Sequence, residues 1–455
     1  MAHIICITTG LTGILHASFE VVTRLEAAGH RVTYACPQDV GVQVRAQGFT
    51  YVQLPAVVFE PAPALPAFSG ALAPIRRMWA KIATAQKRRK AAIEALGMDE
   101  FERFLKEYAP DLLLLDDELH DHIITAVARE VPVALLSQWF ASREHPGLPP
   151  ISSNIVPGRG WRGQPFALKV RWKWTKLRLW QDIQKEKFFS LYTDRRSVLR
   201  AYAKSIGFPM HLLESYSWPP PFTYDHLPIL RMTAWGLEFP HTPPPATTYV
   251  GPMVFAERKD TKGDLKIGAA IDQLLAEKRA AGRPLIYCSV STMNAGDEAF
   301  LQRLIQAVAG NPDWMMILGL GGLLESDFLK TLPSNVYAFA WVPQLQVLKA
   351  ADCSINHGGI HTINECIHFR VPMLIYSGKK FDQNGNAARV AYHQVGIAAD
   401  KDTDEVAMIR QGITQLLTDP SFREKMDGLH EQYQANKPIF AQTVEHLLGV
   451  GRSFK

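Results

Sequence analysis

Short apolar runs rich in Ile, Val and Leu alternate along this chain with longer stretches in which apolar positions recur every three or four residues. The first run, His3 to Thr8, leads through Gly10-Leu-Thr-Gly13 into a helical pattern from Ile14 to Ala28, closed by Gly29-His30. Arg31 to Cys36 is a second run. Strand, loop, helix and strand in that order predict the opening of a doubly wound α/β domain. Pro110-Asp111-Leu112 to Leu115 predicts a further strand, running into Asp116-Asp117-Glu118. A second series starts with Leu285 to Val290, continues with Met315 to Leu318 and a turn at Gly319 to Gly322, and reaches a buried strand end at Asp352 to Asn356.

A chain of 455 residues exceeds one compact core, so two domains are expected. Proline-rich stretches at Trp218 to Phe222 and Pro240 to Pro245, then Tyr249-Val-Gly-Pro252 and the charged residues 256 to 266, mark the approach to a linker. The boundaries read 1–252, a linker over 253–282, and a second domain from 283.

Composition removes several classes. A net charge of +5 is mild for this length and shows no concentrated basic patch of the kind nucleic acid needs. The five cysteines (Cys6, Cys36, Cys288, Cys353, Cys366) have no zinc spacing and read as reduced core residues of a cytoplasmic protein. The start MAHIICITTG lacks a basic segment before an apolar one and reads as a strand rather than a signal peptide. No apolar run is long enough to span a membrane. His120, Asp121 and His122 match no standard metal spacing, so no metal and no resident cofactor are expected. Gly10 and Gly13 lack the third glycine and the acidic strand end of a dinucleotide fingerprint.

The densest chemistry lies between Trp341 and Gln383. His357-Gly358-Gly359 breaks a strand, and from Ile360 the period becomes helical, with Ile363, Cys366, Ile367 and Arg370 on one face and His361 and Glu365 on another. A helix start preceded by glycines suits a diphosphate, because its N–H groups and positive dipole end point outward. His357 and Thr362 add donors, and an ionised Glu365 can only accept, which matches a vicinal diol.

These residues resemble the C-terminal signature of the family 1 glycosyltransferases, which use UDP-sugars and have the two-domain GT-B fold. That signature runs Trp-x-Pro-Gln, then His-Cys-Gly-Trp-Asn-Ser-x-x-Glu, then Asp/Glu-Gln. Trp341, Pro343, Gln344, His357, Gly359, Glu365, Asp382 and Gln383 match it; Thr362 replaces the Ser, and Gly358, Ile360 and His361 depart. His-Gly-Gly-x-x-Thr is also similar to bacterial antibiotic glycosyltransferases. The resemblance implies two facing Rossmann-like domains around a cleft. It further implies that Trp341 stacks on the base, Gln344 and Glu365 hold the nucleoside, His357 and Thr362 hold the phosphates with Ser291, and Asp382-Gln383 holds the sugar; Gly359, and His361 on the helix face of Glu365, are counted with the donor-binding residues. It also implies a last helix, near Ala441 to Leu448, crossing back to the first domain, with 283–436 as the second domain and 437–455 as the crossing segment.

In the N-terminal half the resemblance implies His16 as general base, although the family's surrounding Pro-x-x-Gly-His-x-x-Pro is absent. It implies a carboxylate at the strand end to orient that His: Asp116, with Asp117 second. Either one also fits a helix N-cap. The expected reaction is inverting transfer of a sugar, glucose by the weak cue of Gln383, from a UDP-sugar to a lipophilic small-molecule hydroxyl. A UDP-sugar epimerase or hydrolase on the same fold, and a non-catalytic nucleotide-sugar-binding protein, are the alternatives. Residues 166 to 192 carry two apolar stripes, Phe166/Val170/Trp174/Leu177 and Trp172/Leu179/Ile183, flanked by Lys and Arg. They fit either peripheral contact with the inner membrane face, or a packed helix pair with snorkelling cations.

Overall fold

The computed structural model describes residues 1–56, 67, 69–214, 222–224, 226–259, 265–289, 297–321 and 331–452. The N-terminal half contains β1 (His3–Ile7), β2 (Arg31–Cys36), β3 (Tyr51–Gln53), β4 (Leu112–Asp116), β5 (Val133–Ser137), a small pair β6 (Leu213–Glu214) and β7 (Thr223–Tyr224), β8 (Ile229–Arg231) and β9 (Thr247–Tyr249). Seven of these strands form one sheet in the order β3-β2-β1-β4-β5-β8-β9, all parallel. The helices are α1 (Thr12–Ala27), α2 (Gly41–Ala46), α3 (Ala73–Glu94), α4 (Met98–Tyr108), α5 (His120–Ala128), α6 (Pro165–Ser190) and α7 (Arg195–Ser205). Every residue of β1, β4 and β5 is buried, as befits strands covered on both faces by helices.

After α8 (Leu265–Ala281), the C-terminal half repeats the architecture with β10 (Leu285–Ser289), β11 (Met315–Gly319), β12 (Val336–Phe339), β13 (Cys353–Asn356), β14 (Met373–Tyr376) and β15 (Gly396–Ala399). These form a parallel sheet in the order β12-β11-β10-β13-β14-β15. Its helices are α9 (Glu298–Ala309), α10 (Gln344–Leu348), α11 (Ile360–His368), α12 (Gln383–Tyr392), α13 (Val406–Thr418) and α14 (Pro420–Arg452). In both sheets the order reverses beside the first strand. That is the switch point at which open α/β sheets bind ligands, beyond the strands' C-terminal ends.

The last helix is longer than the sequence pattern predicts, because Pro438 lies inside it rather than before it. Met426, Leu429 and Tyr433 belong to a core that unites the C-terminal strands with Trp139, Leu237 and Tyr249 of the N-terminal half, whereas Phe440, Val444 and Leu448 belong to the core formed around β1, β2 and α1. One helix thus joins the hydrophobic cores of both halves. All five cysteines are buried and unpaired. Among the described residues no helix is long and apolar enough to cross a membrane.

Candidate active site

The β13–α11 turn is built by its glycines. Gly358 has φ +83°, in the left-handed region, and its N–H donates to Asn356 Oδ1 at 2.9 Å. Gly359 then caps α11, whose inner face of Ile363, Cys366 and Ile367 is buried against the core. Arg370, expected on that face, lies beyond the helix end at φ +60° and is exposed. The first N–H groups of α11 have no intrahelical acceptor, so they face outward with the positive end of the helix. Thr362 sits in this first turn.

Burial pushes the His357 imidazole down to about 4, with a backbone hydrogen bond to Ser289 opposing it weakly, so the ring is neutral at pH 7. Among the described residues its buried Nδ1 has no hydrogen-bond partner, and neither does the buried Oε1 of Gln383. A small pocket opens beside His357, lined among others by Ser289, Asn356 and Tyr376. Ser291, the other expected phosphate contact, lies outside the described residues.

Gln344 opens α10 just after the half-buried Trp341. Its amide donates to Glu365, while Tyr287 Oη donates to its own Oε1 at 3.2 Å. Glu365 also pairs with Arg258, from the segment between the two sheets. The sequence gives no cue to Arg258, because the contact spans 107 residues. A carboxylate has about four lone-pair sites, so these two donors leave room for more.

Asp382 is the N-cap of α12. Burial pushes its carboxyl up to about 6, against a hydrogen bond from Asn386. Asn386 donates to Asp382 Oδ2 at 2.7 Å and to the Gly358 carbonyl at 2.9 Å. It therefore ties the expected sugar-binding pair to the expected phosphate loop. Its i+4 spacing from Asp382 was the sequence signal for it.

His361 reaches across the cleft. Its Nε2 lies 2.9 Å from Gln138 Oε1, at the end of β5. Burial, then nearby Arg258, pushes this imidazole down to about 4. A Cβ on Gly13 would lie 2.5 Å from His361 Cδ2, so Gly13 is the residue that lets α1 approach α11. Its role is contact between the halves, not a dinucleotide turn. His16 is one turn further along α1, on the same face, half-buried with its ring 6.1 Å from that of Phe19.

Asp116 ends β4, wholly buried. Its Oδ2 accepts from Thr9 N at 3.0 Å and Thr9 Oγ1 at 2.8 Å, and its Oδ1 accepts from Glu118 N at 3.1 Å. These contacts fix the loop leading into α1. Burial raises the Asp116 carboxyl, and burial together with Asp116 raises Asp117 well above the usual range. Neither caps α5, whose N-cap is Leu119. Glu118 is raised to about 7 by burial and Asp116, with Asp382 of the opposite half adding to the shift. Gln138 donates to Glu118 Oε1 at 3.3 Å. Glu118, Gln138 and His361 thus form a polar line from one half to the other. His120 and His122 are turned inward: His120 Nδ1 lies 3.0 Å from Tyr224 Oη, and His122 Nδ1 lies 2.8 Å from Asp121 Oδ1.

Residues 305–449 match the family described as "Erythromycin biosynthesis protein CIII-like, C-terminal domain". The oleandomycin glycosyltransferase of Streptomyces antibioticus is 25% identical over 433 residues, covering 93% of this chain and 85% of that protein. Another curated match spans 44% of its relative's length. Among solved structures, the glycosyltransferase of kitacinnamycin superposes with a TM-score of 0.66 at 23% identity, covering 98% of this chain and 99% of that one. Glycosyltransferase VinC, solved in complex with dTDP, superposes with a TM-score of 0.60 at 17% identity over 99% of this chain and 100% of that one.

Proposed function

We propose that this chain, which has the fold of GT-B glycosyltransferases, is a glycosyltransferase of the bacterial family 1 type, and that it moves a sugar, with inversion, from UDP-glucose or a close relative to a hydroxyl of a lipophilic small molecule. The observation that carries this reading is the meeting of α11 with α1. The helix start suited to a diphosphate, with Glu365 one turn behind His361, abuts the helix face that bears His16.

In this reading Trp341 stacks on the base, and Gln344 and Glu365 accept the nucleoside. His357, Gly359, Thr362 and the α11 amides, with Ser291, hold the diphosphate; Asp382 and Gln383 take hydroxyls of the sugar. His16 removes the acceptor proton as the oxygen forms its bond to the anomeric carbon. The bond from that carbon to the diphosphate breaks on the opposite face, and its electron pair leaves with the nucleotide. The preorganised amides stabilise the growing charge. Asp116 acts as a positioning residue, fixing through Thr9 the loop that places α1. The scheme uses no metal.

A mass-spectrometric screen of UDP- and dTDP-sugars against a panel of lipophilic alcohols tests this reading. The expected result is a product heavier by one hexose that forms only when acceptor is present. Donor turnover without acceptor would favour a hydrolase or epimerase, and donor binding without turnover a non-catalytic protein.

A further inference from the structure

The two stripes of α6 have opposite fates. Leu168, Trp172 and Ile183 are buried, and Trp172 Nε1 donates to the Leu148 carbonyl at 2.7 Å, fastening the helix to the domain. Phe166, Val170, Trp174 and Leu177 are exposed, Phe166 at 80% and Trp174 at 57%, and Trp180 and Phe188 extend the same face. Helix α3 adds a second such face, with Ile75, Met78, Trp79 and Ile82 exposed, Trp79 at 68%. The two helices are neighbours: Lys81 Nζ donates to the Phe189 carbonyl at 3.4 Å.

Charge identifies what this surface takes. Helix α3 carries seven Lys and Arg against one Glu, and α6 carries seven against one Asp and one Glu. That surplus of eleven positive charges sits in a chain whose net charge is +5, so the rest of the protein is net negative. On α6 the cations flank the aromatic stripe on both sides, with Lys169 and Lys176 along one edge and Arg171 and Arg178 along the other. A second copy of the chain would bring two such positive faces together. A nucleic acid would pair the cations but leave Ile75, Ile82, Val170 and Leu177 in water. An anionic bilayer meets both demands, with headgroup phosphates for the cations and the acyl boundary for the apolar stripe.

We propose that α3 and α6 together form a docking surface for anionic phospholipid bilayers, with α6 lying in the plane of the interface. At 26 residues, α6 offers a contact about 39 Å long. The surface also adjoins the cleft: Leu148, which holds Trp172 of α6, leads into Ser152, whose carbonyl accepts from Asn384 Nδ2 of the opposite half at 3.1 Å. Docking would thus bring the acceptor side of the site to the membrane, where a lipophilic acceptor concentrates.

Cosedimentation of the full chain with vesicles tests this. Vesicles of phosphatidylcholine mixed with phosphatidylglycerol should pellet the protein at low salt, high salt should release it, and phosphatidylcholine alone should bind weakly. Two exposed-face variants are compared, Trp79→Ser/Phe166→Ser/Trp174→Ser and Lys173→Glu/Arg178→Glu, each checked by circular dichroism. Each should lower partitioning by on the order of tenfold or more while keeping transfer to a water-soluble acceptor. No binding to the anionic vesicles at low salt overturns the proposal. So does binding that neither variant weakens, and so does a dimer in light scattering that the triple-serine variant dissociates.

Discussion

Arg389 of α12 and Glu238 of the N-terminal half form an ion pair that no solvent reaches. Arg389 Nε donates to Glu238 Oε1 at 2.7 Å, and both side chains are fully buried. The guanidinium lies 4.5 Å from the ring centres of both Phe140 and Phe239. Glu238 further accepts from the amides of Ala141 and Phe239 and from Tyr249 Oη. Burial by itself raises the Glu238 carboxyl, but Arg389 and the two amides outweigh it and hold the group below its ordinary 4.5.

Removing one partner leaves a buried charge without compensation. Arg389→Met is therefore expected to destabilise the protein by about 3–5 kcal/mol, measured by urea unfolding. The folded carboxyl is the more acidic one, so its contribution is present above pH 4.5 and declines as pH falls below it. The variant should lose this part of the acid dependence. An unchanged urea midpoint would remove the pair from the forces that join the halves.

His16→Ala is expected to lower O-transfer by roughly 10²–10⁴-fold, the usual worth of a positioned acid–base group. Donor affinity, measured by calorimetry, should barely change, since the donor contacts proposed above lie on the C-terminal half. A variant with near-full rate toward an alcohol acceptor would show that another group takes the proton.

Nucleotide choice is expected to rest on Glu365. A ribose offers it two hydroxyls and a 2′-deoxyribose one; a lost hydrogen bond to a charged acceptor costs about 1.5–3 kcal/mol, roughly tenfold or more in affinity. UDP-glucose should therefore outcompete dTDP-glucose, and Glu365→Ala should narrow the difference. Arg258→Ala frees one carboxylate oxygen and should widen it. Trp341→Ala should weaken both nucleotides alike. Equal use of the two donors by the unmodified protein would rule out this role for Glu365.

Diphosphate binding is expected to take up a proton. The His357 imidazole is held at about 4 by burial, and its Nδ1 lacks a partner among the described residues. A diphosphate beside the ring favours the charged form and raises that value. UDP should then bind more tightly at pH 6 than at pH 7.5, and calorimetry in buffers of different ionisation enthalpy should register the uptake. His357→Gln should abolish the effect. Affinity independent of pH in the unmodified protein would mean that the ring stays neutral in the complex.

The sequence by itself determined the architecture and gathered the candidate donor residues into one stretch. Period-two and period-3.6 patterning locates β1, α1, β2, β4, β10 and β13, and the chemistry from Trp341 to Gln383 is local, so spacing alone assembles most of it. What needed tertiary structure is what crosses between distant segments. Arg258 on Glu365, Gln138 on His361 and Arg389 on Glu238 link residues 107, 223 and 151 apart, and no local pattern encodes such pairs. Gly13 fits no dinucleotide fingerprint, and its place in the chain gained a reason only when the fold set His361 against it. Nor does helical periodicity say which of two stripes on α6 faces inward, since each is a sound apolar face. Only the packing of Trp172 beneath Leu148 decided that, leaving Trp174 in solvent.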